Sequence, residues 1–168
     1  MNISMYQASA PRFTNTLKNL SAILDKAQAH AEAKKLDPAA LMTARLFPDM
    51  FAFTKQVQVA CDTAKGAVAR LAGVEIPKHE DTEQTFADLK ARIAKTLEFI
   101  GTIKQQQIDG SEDKPIVMKR PSGDVTFTGM QFLLGHAYPN FYFHVTTAYN
   151  LLRHNGVEIG KRDFIGQP

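Results

Sequence analysis

Cysteine is almost missing from these 168 residues: Cys61 stands alone. One thiol cannot close an internal disulfide, so the chain gives no sign of a disulfide-stapled fold or an oxidising compartment. Its neighbours Val57, Ala60 and Ala64 are small and apolar, which suits a core residue better than a nucleophile. The His-Glu-x-x-His spacing of zinc proteases, the glycine-rich phosphate loops and the serine-centred nucleophile elbow are all absent. No stretch approaches the ~20 apolar residues of a membrane span. Residues 1–11 lack the basic start and apolar run of a signal peptide. A cytoplasmic protein without a membrane partner is therefore expected. Blocks of one charge are lacking too. The net charge is +3, and the basic residues gather no further than the pairs Lys34-Lys35 and Lys119-Arg120. Without a basic stripe among aromatics, no nucleic-acid partner is expected.

What is present is helical periodicity. A chain of 168 residues with 44% apolar content suits a single domain, here 1–168. Phe13, Leu17, Leu20, Ile23, Leu24 and Ala27 draw one stripe along a first helix over residues 9–35. Asp37-Pro38 opens a second helix, with Pro48 as a kink or break and a restart at Asp49 running to Ala72, where Gly73 ends it. Asp81-Thr82-Glu83 opens a third, whose stripe is Phe86, Leu89, Ile93, Leu97 and Ile100. Then the pattern changes. Ile116-Val117-Met118 and Val125-Thr126-Phe127 flank the turn residues Pro121-Ser122-Gly123-Asp124, a small β-hairpin. Thr128 caps the last helix, Pro139 bends it and Gly156 ends it; residues 157–168 read as irregular. The sum is an all-α four-helix bundle with a hairpin inserted between the third and fourth helices.

The densest polar cluster lies in the last helix. His136, Asn140, His144 and Thr147 follow at steps of four, four and three, nearly on one face. Two side chains four apart can reach one ion, but a neutral asparagine amide is a poor ligand for zinc or nickel. His144 reads first as a buried imidazole bonded to a neighbouring helix, with a metal ligand or part of a ligand pocket as the alternatives. On the second helix Asp49 and Gln56 are seven apart and so share a face; Asp49 also suits a cap, and a buried Gln56 needs a partner. Asp62 and Lys65 read as a surface pair. His30 and His79 fall in polar surroundings, and His154 suits a helix C-terminus.

Several segments carry a resemblance. They are Leu46-Phe47-Pro48-Asp49-Met50, Gln56-Val57-Gln58, Ala69-Arg70-Leu71-Ala72-Gly73-Val74, the run Pro139-Asn140-Phe141-Tyr142-Phe143-His144, and Leu152-Arg153-His154-Asn155-Gly156-Val157. Together they are similar to an uncharacterised bacterial family, domain-of-unknown-function family 1993, within the DinB/YfiT-like helical bundles. That wider group includes metal-dependent enzymes, among them thiol-dependent transferases and a maleylpyruvate isomerase. The resemblance implies a DinB-like bundle and a site of three histidines, one on the second helix and two spaced by four on the last. His144 matches one ligand, Asn140 stands at the other position of the last helix, and Asp49 is the candidate on the second helix.

Three functions follow as expectations. The first is a non-metal protein, structural or binding a small molecule, with Asn140, His144, Asp49, Gln56 and Tyr149 lining a pocket. No cofactor is expected in it. The second is an enzyme with a divalent ion on His144, Asn140 and Asp49, or without metal, using His144 as general base. The third is a homodimer through the Phe141 and Phe143 surface.

Overall fold

The computed structural model describes residues 3–119 and 121–166; Arg120 of the Lys119-Arg120 pair lies outside them. Helix α1 (Ala10–Lys34) carries Pro11 in its first turn and buries the expected stripe from Phe13 to Ala27. Lys35 closes it in the left-handed conformation, at φ 53°. Helix α2 (Pro38–Met42) is one short piece, with the Asp37 carboxylate accepting from the Ala39 N–H at 2.9 Å.

The restart expected at Asp49 does not occur. Helix α3 (Phe53–Ala72) begins only after a non-helical stretch over residues 43–52. Pro48 cannot donate to a preceding turn, and its ring clashes with that turn. The loop finds other partners. The Phe53 N–H donates to the Ala44 carbonyl at 2.9 Å, the Thr54 hydroxyl to the Met42 carbonyl at 2.9 Å, and the Arg45 guanidinium to the Met50 carbonyl. These bonds hold the loop across the start of α3. At the other end Gly73 terminates the helix at φ 74°, as its position predicts.

Helix α4 (Phe86–Thr102) also begins later than Asp81. Thr85 and Asp88 form a reciprocal cap at 3.1 and 2.9 Å, so the start is set by that pair. Asp81 and Glu83 lie in the preceding extended segment and bind Arg92 instead. A short helix α5 (Gln105–Ile108) follows. Strands β1 (Pro115–Met118) and β2 (Val125–Thr128) pair antiparallel, with Ile116 opposite Phe127. The expected hairpin is therefore present.

Thr128 caps α6 (Gly129–Phe132) in a reciprocal arrangement with Gln131. A π-helical turn (Leu133–Ala137) then leads into α7 (Tyr138–His154). Pro139 has no N–H for the carbonyl four residues back, and the widened turn just before it accommodates that defect. The tail is not wholly irregular: it forms α8 (Lys161–Ile165). This helix docks on α1, where the Asn19 amide donates to the carbonyls of Phe164 (3.1 Å) and Ile165 (2.9 Å).

The bundle neighbours run α1, α4, α3, α7 around the core. Phe13 and Phe141, both fully buried, meet edge to face at 4.9 Å between ring centres. Among the described residues no helix is long and apolar enough to cross a membrane.

Candidate functional site

Asn140 and His144 of α7 both face α3, but each meets a different partner there. Gln56, Thr63 and Arg70 stand at steps of seven along α3 and so share one face. His144 pairs with Gln56 at 2.7 Å, and the Asn140 amide donates to the Thr63 hydroxyl at 3.2 Å. His136, in the π turn, lines the same cleft as Arg70. Numbers rise along α3 as they fall along α7, so the two helices form an antiparallel ladder of polar rungs.

The first rung is the most constrained. The Gln56 side-chain N–H donates to the Phe51 carbonyl at 3.0 Å, which turns the amide oxygen toward His144. The reverse orientation would set two oxygens against each other. The amide oxygen can only accept, so the His144 Nδ1 carries the proton and Nε2 keeps its lone pair. Gln56 and His144 are both buried, at 1% and 8% exposure. Burial lowers the imidazole pKa, which keeps the ring neutral at pH 7. A cleft of about 230 Å³ opens beside it, lined by Asp49, Met50, Phe51, Gln56, Phe143 and His144. Phe51 stacks on the imidazole at 6.4 Å and Phe143 meets it edge-on at 5.3 Å.

These placements test the metal set that the resemblance implies. Gln56 is the residue on α3 that faces His144, and its neutral amide is a weak ligand. Asp49 sits exposed in the loop before α3 rather than on a helix. Asn140 is turned to Thr63, one rung away. Among the described residues no three His, Cys, Asp or Glu side chains converge on one point. The donor set does not fit a metal centre of that kind.

The structure brings Asp49, Gln56 and His144 to one cleft and places Asn140 at another. Tyr149 stands apart from both, against Phe164 of α8 at 5.8 Å, because five residues beyond His144 turn it to another face. Thr147 bonds back to the Phe143 carbonyl at 2.7 Å. Phe141 is fully buried against Phe13, so it cannot belong to an exposed aromatic surface; Phe143 is 55% exposed. Cys61 is buried, and burial pushes its thiol up to about 12. Met50 and Phe51 were not legible as site residues, since the loop that presents them had the pattern of a helix.

Asp62 and Lys65 do pair, at 2.9 Å, but not as a simple surface pair. Lys65 is buried, and the same carboxylate oxygen accepts from Arg92 at 2.9 Å. Arg92 also binds Asp81 at 3.0 Å, Glu83 at 2.9 Å and the Glu80 carbonyl at 3.1 Å. It anchors the segment before α4 to α3 and α4. Periodicity could not reveal this, because the partners lie in an extended segment.

A family profile described as Domain of unknown function (DUF1993) matches residues 5–165. A crystal structure of a DinB family member protein from Shewanella denitrificans is 45% identical. The match covers 97% of this chain and 92% of that one, with a TM-score of 0.90. No curated protein matches the chain.

Proposed function

The chain belongs to domain-of-unknown-function family 1993, and on that premise we propose that it binds a small amphipathic molecule in the cleft beside His144. The observation that carries this reading is the chain of bonds from the Phe51 carbonyl through Gln56 to His144. It holds a neutral imidazole with Nε2 as acceptor between two aromatic rings. The ligand has a hydroxyl, amine or thiol donor for that nitrogen and an apolar part for Phe51, Phe143 and Met50. If its donor proton is acidic, the same nitrogen is the base that would take it.

The test is a fragment screen by amide chemical-shift mapping, using phenols, aryl amines and aryl thiols. Saturable shifts at residues 49–56 and 143–144 support the proposal, and His144→Ala abolishes them. Binding that survives His144→Ala would sink it. Elemental analysis of untagged protein runs alongside; a stoichiometric divalent ion lost in His144→Ala would favour the metal enzyme instead.

The mouth of the cleft favours a second reading, a homodimer. Phe51 and Phe143 are 51% and 55% exposed there, and Phe47 in the same loop is 63% exposed. A second copy laid over these rings would remove them from water.

A further inference from the structure

We infer that the cleft at the third rung, around Arg70, is a binding site for a small organic carboxylate. This cleft is distinct from the one beside His144. It encloses about 180 Å³ and is lined by Thr63, Arg70, Met118, Phe132, His136 and Asn140, with Asp62 at its edge. Among the described residues Arg70 enters no ion pair, although Arg92 on the adjoining helix binds three carboxylates. Arg70 spends one N–H on the Gly66 carbonyl, at 3.0 Å, and lies 6.0 Å above the Phe132 ring. Its charge is half-buried and offset by no anion of its own. Burial lowers its pKa, the direction expected of a cation held away from water without a counter-charge.

The remaining groups complement an anion. A guanidinium presents parallel N–H donors that match the two oxygens of a carboxylate. Thr63 already accepts from Asn140, and its hydroxyl proton remains to be donated. Phe132 and Met118 offer an apolar wall for a ring or short chain. Asp62 sets the ligand's charge. One of its oxygens is held by Lys65 and Arg92, but the carboxylate still stands at the rim and repels a dianion. A monovalent carboxylate is therefore favoured over phosphate.

Gly66 belongs to this arrangement. A Cβ there would come within 2.6 Å of the Arg70 Nη1 and push the guanidinium aside. Alanine is the better helix former, so Gly66→Ala keeps the charge and the fold while moving the group.

The experiment is a chemical-shift titration with benzoate, its neutral analogue benzamide and inorganic phosphate. Benzoate is expected to give saturable shifts around residues 63–70, 132 and 136–140. Arg70→Met and Gly66→Ala each weaken it by about tenfold or more, the loss of a charge-assisted contact. Thermal midpoints of both variants verify that they remain folded. The inference fails if benzamide binds as well as benzoate, if phosphate binds more tightly, or if neither variant weakens binding. It fails equally if the shifts map only to the His144 cleft.

Discussion

At the scale of single residues, two polar side chains of opposite character organise this molecule. His144 is buried neutral, with its pKa lowered by burial from the ordinary 6.5. The unfolded chain therefore binds a proton near that value that the folded chain refuses. Stability is full above pH 6.5 and falls as pH drops toward the lower folded value. A pH titration of the ring by NMR is expected to show a midpoint below 6.5. In Gln56→Leu the Nδ1 proton loses its acceptor, and ring nitrogen shifts should report mixed tautomers. Arg92 is buried charged. Burial alone would raise the Glu83 carboxyl, but hydrogen bonds from Arg92 and Gln58 outweigh it and hold the group below the ordinary 4.5. Asp81 is held below 3.8, first by its bond from Lys55. Both contributions are present above those ordinary values and are lost as pH falls below them. Arg92→Met leaves Glu83 without its main partner and is expected to cost about 2–3 kcal/mol in urea denaturation at pH 7. The cost should shrink in acid.

Elements are held by close backbone approaches as much as by side chains. Gly129 opens α6 where an added Cβ would stand 1.9 Å from the Ser111 carbonyl oxygen. The neighbouring Met130 N–H donates to the Glu112 carbonyl at 2.9 Å, tying α6 to the chain before the hairpin. Gly129→Ala must break that approach. A loss of about 3 kcal/mol is expected, read from denaturant midpoints. The docking of α8 is lighter. Asn19→Ala removes two hydrogen bonds to its last carbonyls but leaves Phe164 against Tyr149. The expected result is faster amide exchange confined to residues 161–166, with the bundle midpoint nearly unchanged. Glycine and asparagine at these positions carry no periodic signal. Their roles arise from segments far apart in sequence, and helical spacing is silent about such contacts.

For the whole molecule, the arrangement of α1, α4, α3 and α7 leaves an aromatic mouth uncovered at Phe51 and Phe143, with Phe47 exposed in the same loop. If a second copy covers it, sedimentation will show a concentration-dependent dimer, and Phe143→Ser will shift the equilibrium to monomer without lowering the monomer's stability. A monomer at every concentration would leave the mouth to the ligand alone. The bundle itself is legible in the sequence. Stripes at steps of three and four, Gly73, the Thr128 cap and the hairpin turn are local signals, and the fold kept each of them. Asn140 and His144 were equally visible as neighbours on one helical face. Only the tertiary structure decided that they serve different rungs. Periodicity fixes the direction in which a side chain points, not the residue that meets it; that depends on the register of α7 against α3. The register sets Gln56 opposite His144 and Thr63 opposite Asn140, and it leaves Arg70 at a cleft where, among the described residues, it enters no ion pair.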